Sequence, residues 1–322
     1  MNFKTPKFWH KRMSILSILL IPLSWLYRLG HVINMKRQPP PYHAKIPVIC
    51  IGNAIAGGSG KTPSVIALVK LIKENNIAQN PFILTRGYGR KTKTPILVDL
   101  NKHHANDVGD EALLLGQHSP TIVSSNRADG AKLAEEIGAD IIIMDDGLQN
   151  NHLHKNINFL VVDRQIDFGN NRVLPAGPLR EPLSSILPKI HAILCIGRPF
   201  HSDKAVFQSF ILPQDGLDLN KNYVAFAGLG YPEKFKNTLL DLKAKLVGWH
   251  TFPDHHSYSE QELEDMQDDA LNKQAVLITT EKDYARLPES WKKKIINFPI
   301  ELQFKSPNDI VQFLELGLGA IA

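Results

Sequence analysis

GNAIAGGSGKTP, residues 52–63, lies between an apolar run of strand length and a segment with helical spacing. The run before it is IPVICIG (46–52), and the segment after it is KTPSVIALVKLIKENN (61–76). A glycine-rich loop that leaves a buried strand and enters a helix directs backbone N–H groups and the helix N-terminus at an anion. This context predicts a phosphate-binding loop.

The candidate phosphate-binding residues are consecutive: Ile55, Ala56, Gly57, Gly58, Ser59, Gly60, Lys61 and Thr62. Lys61 suits the β- and γ-phosphates of a nucleotide, and the Thr62 hydroxyl suits Mg²⁺. The usual eight-residue pattern has glycine six positions before the lysine, where this chain has Ile55. The alternative is a strand–helix turn that carries a surface lysine, and the flanking elements favour the phosphate loop.

Apolar runs of strand length alternate with helical patterns along the whole chain of 322 residues. Such alternation predicts parallel sheets covered by helices on both faces, here in two α/β domains. The predicted organisation has an amphipathic N-terminal helix and joint (1–40), a nucleotide-binding domain (41–168), a glycine- and proline-rich hinge (169–185) and a second α/β domain (186–322). The C-terminal helix within SPNDIVQFLELGLG (306–319) is a candidate to pack back on the first domain.

The N-terminal segment combines cations with an apolar stretch. Residues 1–37 carry seven Lys and Arg side chains and no acid, and Met13–Tyr27 is uncharged. Fifteen residues are fewer than the roughly 20 that span a bilayer. We therefore expect a helix in the membrane interface, with Trp9, Trp25 and Tyr27 at headgroup depth, and a buried helix is the alternative.

The net charge and the cysteine content argue against some classes of protein. The net charge of +5 is modest and does not argue for nucleic acid. Cys50 and Cys195 each lie in an apolar run, so a disulfide framework is excluded and a reducing compartment is favoured.

Carboxylates follow another apolar run, in ADIIIMDDGLQ (139–149). A nucleotide loop needs a carboxylate at the end of a neighbouring strand to position magnesium, and Asp145 and Asp146 are the candidates. An exposed acidic turn is the alternative. Asp110 and Glu111 begin a predicted helix, where acids are also ordinary. A histidine of FPDHHSYS (252–259) suits proton transfer better than zinc binding.

Seven motifs, taken in order, resemble the tetraacyldisaccharide 4′-kinase family from the N-terminal helix to about residue 288: GNAIAGGSGKTP, TRGYGR, VGDEALLL, MDDGLQ, LPAGPLREP, FPDHHSYS and TTEKD. The resemblance implies a P-loop NTPase-like fold of two α/β/α domains. It also implies that the γ-phosphoryl group of ATP passes, with Mg²⁺, to the 4′-hydroxyl of tetraacyldisaccharide 1-phosphate at the cytoplasmic face of the inner membrane. The family's loop likewise lacks glycine at the position of Ile55.

The resemblance also implies roles for individual residues. Lys61 and Thr62 match the groups that bind phosphate and magnesium, and Asp145 and Asp146 match the acidic pair near the metal. Asp110 matches the general base. His255 matches the histidine that supports the base, with His256 as the alternative one position away. The candidates for substrate or hinge contacts are Arg86, Tyr88, Glu111, Arg180 and Glu181.

A rival class is a membrane-associated P-loop ATPase of the partitioning type, which phosphorylates no acceptor. Such proteins carry a second lysine five positions before the loop lysine, where this chain has Ala56. The sequence therefore favours the lipid kinase, for which the expected partners are ATP, the lipid disaccharide and an inner-membrane surface with anionic lipid; no obligate protein partner is implied.

Overall fold

The computed structural model describes residues 6–87, 94–214, 217–254 and 256–319, apart from the side chain of Lys36. The chain divides into two compact units. The first unit comprises Pro6–Ile211 and the residues from Leu302 onward, and the second comprises Leu212–Glu301.

Within the described residues thirteen strands form two sheets. The strands are β1 (Val48–Gly52), β2 (Pro81–Thr85), β3 (Ile96–Leu97), β4 (Thr121–Val123), β5 (Ile141–Asp145), β6 (Ile157–Asp163), β7 (Ala192–Ile196), β8 (Ala205–Pro213), β9 (Asn222–Ala227), β10 (Lys245–Thr251), β11 (Ala275–Thr280), β12 (Ile295–Phe298) and β13 (Ile300–Phe304).

The same ranges contain twelve α-helices and two short 3₁₀ helices, Lys7–His10 and Leu187–Lys189. The α-helices are α1 (Ile15–Leu19), α2 (Ile21–Lys36), α3 (Lys61–Glu74), α4 (Ala105–Val108), α5 (Asp110–Gly116), α6 (Arg127–Glu136), α7 (Leu183–Ile186), α8 (Glu233–Asp241), α9 (Glu260–Asn272), α10 (Glu281–Tyr284), α11 (Glu289–Lys292) and α12 (Pro307–Gly319).

The sheet of the first unit has the order β13-β8-β7-β6-β1-β5-β2-β4-β3. The strands from β8 to β4 pair in parallel, and β3 pairs with β4 in the antiparallel direction. The central strand β1 and its neighbour β5 are buried at every residue, as expected for strands covered on both faces. Because these strands are parallel, the loop after β1 and the carboxylates that end β5 lie at the same edge of the sheet.

Helices α3 and α12 cover one face of this sheet. Val65 and Leu68 of α3 share a buried cluster with Phe159 of β6 and with Ile310 and Leu314 of α12. The C-terminal helix therefore belongs to the core of the first unit. On the other face α6 approaches β2 closely, because a Cβ on Gly130 would lie 2.5 Å from a methyl carbon of Leu84.

The second unit has a parallel sheet of order β10-β9-β11-β12. Leu263 and Met266 of α9 pack against one face, and Phe235 and Leu239 of α8 pack against the other. Each unit is therefore a sheet between helices. The prediction of two α/β/α units with mainly parallel sheets is confirmed.

The boundary between the units differs from the predicted one. The predicted hinge, 169–185, lies inside the first unit, as do residues 186–211, and the second unit begins at Leu212. The reason is that β7 pairs with β6 and β8 pairs with β7 in the first sheet, so HAILCIG (191–197) belongs to the first series of strands and does not begin the second. The chain leaves the first unit along β8 and returns to it along β13.

The N-terminal apolar stretch forms two helices, α1 and α2. They are separated at Leu20. Pro22 lies in the first turn of α2, where a backbone N–H would have no intrahelical acceptor, so the missing N–H of proline costs no hydrogen bond. Large apolar side chains of both helices are exposed, among them Met13, Ile15, Leu19, Trp25, Leu26 and Leu29. No helix in the described ranges combines the length and the hydropathy needed to cross a bilayer.

Candidate phosphate-binding site

The loop after β1 is closed by the side chain of Asn53. This fully buried amide donates from Nδ2 to the carbonyl oxygen of Ile55 at 2.8 Å and to Ser59 Oγ at 2.6 Å. The carbonyl of Asn53 accepts from Gln149 Nε2 at 3.2 Å. These bonds hold the two ends of the loop together between β1 and the first residue of α3, Lys61.

Two glycines of the loop require the absence of a side chain. Gly57 and Gly60 have φ of 111° and 79°, a region that favours glycine. A Cβ on Gly60 would also lie only 2.3 Å from Ile196 Cδ1. Gly58 differs, because a Cβ there would meet no atom of the described residues within 4 Å. Gly58 therefore borders open space beside the loop.

Ile55 enters the loop in a strand-like bridge with Leu179. The amide of Ala56 donates to Pro178 O at 2.8 Å, and the amide of Arg180 donates to Ala54 O at 2.9 Å. The loop residues predicted to bind phosphate thus divide into two groups: Ile55 and Ala56 anchor the loop, while Gly57–Thr62 form its bend and the start of α3.

Asp145 and Asp146 have different surroundings. Asp145 is buried at the end of β5; its Oδ2 accepts from Thr85 Oγ1 at 3.0 Å, and its Oδ1 has no hydrogen-bond partner among the described residues. Asp146 has φ of 51° and accepts from both Arg180 Nη1 (2.8 Å) and Nη2 (3.0 Å). Lys61 Nζ lies 3.6 Å from Asp146 Oδ2. The carboxylate of Asp146 therefore contacts Lys61 and Arg180, whereas Asp145 keeps one buried oxygen without a hydrogen-bond partner among the described residues.

The electrostatics of the pair follow from these contacts. Burial, followed by the charges of Glu111 and Asp146, raises the pKa of Asp145 to about 7, against the opposing effects of Lys61 and Thr85. Burial also acts on Asp146, but Lys61 and Arg180 together hold its pKa below the ordinary value. The Asp145 site consequently favours a nearby cation.

The donor set fits Mg²⁺. A buried carboxylate oxygen without a partner and the hydroxyl of Thr62 at the start of α3 are hard oxygen ligands of the kind magnesium prefers. No group of three or more His, Cys, Asp or Glu in the described part of the chain could hold a metal by itself. Phosphate oxygens and water would complete such a site, as is usual for magnesium.

Asp110 is the buried first residue of α5, directly after Gly109, whose φ is 91°. Glu111 follows Asp110. The charge of Glu111 raises the pKa of Asp145, so Glu111 and Asp145 share one electrostatic environment. Arg86 follows β2 and is exposed. The predicted contacts of Tyr88 and His255 lie outside the described residues.

The candidates at positions 180 and 181 differ in their partners. Arg180 binds Asp146, as described above. Glu181 is buried; its Oε2 accepts from Ser185 Oγ at 3.1 Å and lies 3.1 Å from Lys189 Nζ. Glu181 thus anchors the segment around α7.

Arg127 was missed by the sequence analysis. This buried first residue of α6 donates from Nη1 to the carbonyl of Ser124, and its Nε has no partner among the described residues. Burial lowers the pKa of Arg127 to about 10, while Asp145 and Asp146 act in the opposite direction. In the sequence it appeared to be an ordinary residue at a helix start, and only the sheet order brings it near the acidic pair.

The motifs of the second unit form a buried polar network around Asp283. Its carboxylate accepts from Tyr258 Oη (2.9 Å), Thr280 Oγ1 (2.7 Å), Arg286 Nη1 (3.0 Å) and the amide of Gly228. Burial, together with Asp283, raises the pKa of Tyr258, so the phenol remains a donor. TTEKD and FPDHHSYS are therefore joined through a structural carboxylate.

Near the same network, His256 Nε2 lies 3.1 Å from Glu262 Oε1, at the start of α9. Lys282 Nζ lies 3.4 Å from Asp254 Oδ1. His256 thus has a carboxylate partner within its own unit.

Replacing Asp283 with alanine should destabilise the second unit by roughly 3–5 kcal/mol, because the nearly buried cation of Arg286 loses its carboxylate partner. The measurement is native-state hydrogen exchange of the β9 and β11 amides. Glu289→Ala is the control: the side chain of Glu289 is 86% exposed in its pair with Lys292, so the change should stay within about 0.5 kcal/mol. Equal exchange in the two variants would contradict the structural role of Asp283.

A mainly parallel sheet, a strand–glycine loop–helix unit with lysine at the helix start, and a carboxylate ending the adjacent strand define a P-loop nucleotide-binding protein. Comparison with known proteins specifies the family. The family model described as tetraacyldisaccharide-1-P 4′-kinase matches residues 16–318. The chain belongs to this family and is a kinase.

Relatives match over nearly the whole chain. The tetraacyldisaccharide 4′-kinase of Bradyrhizobium sp. (strain BTAi1) is 39% identical over 322 residues, which are 94% of this chain and 92% of the relative. That of Paramagnetospirillum magneticum is 39% identical over 315 residues, covering 95% and 96%. The crystal structure of LpxK from Aquifex aeolicus in complex with ATP matches with a TM-score of 0.75 at 27% identity, covering 94% of this chain and 100% of that one.

Proposed function

We propose that this kinase transfers the γ-phosphoryl group of ATP to the 4′-hydroxyl of tetraacyldisaccharide 1-phosphate, giving lipid IVA and ADP in lipid A biosynthesis. The names of the relatives support the acceptor, and the ATP complex of the Aquifex relative supports the donor. The observation that carries the proposal is the buried, unpartnered Oδ1 of Asp145 on the strand next to the loop, in a site that also holds Lys61.

The triphosphate would bind along Gly57–Thr62, with the Lys61 ammonium on the β- and γ-phosphates. Thr62 and Asp145 would hold Mg²⁺, which when bound neutralises charge on the phosphates. Asp146 positions Lys61 through their 3.6 Å contact and is itself held by Arg180. The preference for Asp145 over Asp146 as the metal ligand follows from the partners that Asp146 already has.

Asp110 is proposed as the general base, which accepts the proton of the 4′-hydroxyl as the phosphorus–oxygen bond forms. Its position at the start of α5, one residue before Glu111, supports this role, because Glu111 shares the electrostatic environment of Asp145. Arg86, Tyr88 and Glu111 are proposed contacts of the anionic substrate. The supporting role of His255 stays a prediction.

The acyl chains of the acceptor would remain in the bilayer, so we place the enzyme at the cytoplasmic face of the inner membrane as a monotopic protein. The exposed apolar side chains of α1 and α2 support this location. Lys11, Arg12 and Arg28 lie on the same segment, where anionic lipid would attract them.

Membrane binding should be weakened in the double variant Leu19→Glu/Leu26→Glu. These side chains are 71% and 65% exposed, so the fold should be unaffected, while two charges would have to enter the interface. We expect the variant to bind anionic liposomes at least about tenfold more weakly, as measured by the fraction that sediments with them. Leu271→Glu, at a leucine of the second unit that is 62% exposed, is the control. Unchanged sedimentation of the double variant would contradict the interfacial role of α1 and α2.

The proposed reaction is tested with γ-labelled ATP, magnesium and purified tetraacyldisaccharide 1-phosphate in detergent. Label in a lipid product that carries a 4′-phosphate is the expected result. Label released only as inorganic phosphate would indicate an ATPase of the partitioning type.

A further inference from the structure

The segment Asn170–Arg180, here called the strap, is bonded to two distant parts of the first unit. It lies within the residues predicted to be a hinge, yet most of its contacts are buried, with Ala176 and Leu179 almost fully so. A hinge between domains would leave such backbone groups to solvent. The strap is instead part of the core structure.

One part of the strap is held by serines of the N-terminal helices. Ser24 Oγ donates to Val173 O at 2.8 Å and accepts from the amide of Ala176 at 3.2 Å. Ser17 Oγ donates to Ala176 O at 2.5 Å and accepts from Asn170 Nδ2 at 2.9 Å. Both serines are buried in a segment whose other face exposes apolar side chains. These hydroxyls therefore fix the backbone of the strap to α1 and α2.

The other part of the strap is held by the phosphate loop. As described above, Pro178 O accepts from Ala56 N, and Arg180 N donates to Ala54 O. The guanidinium of Arg180 then binds both oxygens of Asp146, the partner of Lys61. Position 178 is only two residues from Ala176, so the two anchored parts are almost adjacent in the chain.

The strap between these anchors is bonded to itself. The amide of Leu174 donates to Leu179 O at 2.9 Å, and the amide of Leu179 donates to Arg172 O at 3.0 Å. A Cβ on Gly177 would lie 2.4 Å from the carbonyl oxygen of Arg172, so the backbone is closely packed there. A displacement at Ser24 must therefore pass to the loop instead of being absorbed within the strap.

We propose that Ser17 and Ser24 are positioning residues for the phosphate loop, acting through the strap on the backbone of Ala54–Ala56 and on Arg180. The inference rests on the proposed role of the loop in binding ATP. The affinity for the nucleotide then depends on α1 and α2, although the hydrogen bonds of Ser17 and Ser24 described above join these helices to the strap and not to the loop itself. Linkage requires the reverse effect as well: bound nucleotide must stabilise the seating of the strap on α1 and α2.

The test is Ser24→Ala in the full chain, with magnesium-ATP affinity measured by calorimetry without lipid. Loss of one buried pair of hydrogen bonds predicts a dissociation constant about three- to tenfold higher. Hydrogen exchange of the Ala56 amide should accelerate in the unliganded variant. Ser14→Ala is the control, since in the described residues the Ser14 hydroxyl at the start of α1 caps no backbone group.

A purely structural role of Ser24 would lower the melting temperature but leave the affinity of the folded variant and the exchange of Ala56 at wild-type values, and this would overturn the inference. The proposed function would stand in that case, because it is tested separately by transfer of labelled phosphate from ATP to the lipid acceptor by the wild type. If Ser24→Ala does not fold, the wild type gives the answer. Magnesium-ATP should slow exchange of the Ala176 amide, and protection confined to the loop would contradict the coupling.

Discussion

Replacing Lys61 with alanine should abolish measurable phosphoryl transfer while the fold stays intact. Lys61 is the first residue of α3, and its ammonium group lies in the site beside Asp146, which also binds Arg180. Its removal takes away the cation proposed to meet the charge that develops on the phosphates, while Asp146 keeps its bonds to Arg180. Loss of such a preorganised group costs on the order of 10³-fold in rate.

The measurement is single-turnover transfer from labelled ATP to the lipid acceptor, with circular dichroism as the check on folding. Lys70→Ala is the matched control, because Lys70 is an exposed lysine of the same helix. It should change the rate by less than about twofold. Near-normal transfer by a natively folded Lys61→Ala enzyme would refute the assignment of the loop.

Asp110→Asn should lower the rate of transfer by roughly 10²–10⁴-fold if Asp110 is the general base. Asparagine has nearly the same volume and can still accept a hydrogen bond at the start of α5, but it cannot take up the proton of the attacking hydroxyl. The affinity for magnesium-ATP should therefore change little, and the loss should appear in the maximal rate.

The control is Asp129→Asn, which alters an exposed acid in the first turn of α6. Its transfer rate should remain close to the wild type. A reduction of less than about threefold for Asp110→Asn would assign proton removal to another group.

The local part of the site could be predicted from the sequence. The strand, the glycine bend and the helix after Lys61 are consecutive, and hydrophobic periodicity together with glycine positions predicts such units. Likewise, Asp145 ends an apolar run, so a carboxylate at the edge of a parallel sheet was predictable. The structure adds the difference between Asp145 and Asp146, which depends on Arg180 from a segment 34 residues away.

The departure at Ile55 shows why the rest was not predictable. The usual pattern places glycine there, but the strand-like bridge to Leu179 gives this residue an extended backbone and a buried side chain, for which isoleucine is suitable. The bridge joins residues far apart in the sequence, and periodicity within a window carries no information about such pairs. The same limit explains the hinge predicted at 169–185. Its glycine- and proline-rich composition is visible in the sequence, whereas the bonds that tie this segment to distant residues are not.

Arg127 illustrates a further limit. Its burial beside the acidic pair arises because α6 follows β4, which lies two strands from β5 in the sheet. A sequence shows the order of the strands along the chain, while the spatial order β1-β5-β2-β4 is set by packing of the whole sheet.

Calorimetric titration of magnesium-ATP into the purified, folded chain tests the central claim most directly, because the claim is that the glycine bend and Lys61 bind the triphosphate. We expect saturable binding at one site, strongly weakened in Lys61→Ala and retained in Lys70→Ala. The absence of binding to the wild type, even with the acceptor lipid present, would contradict it.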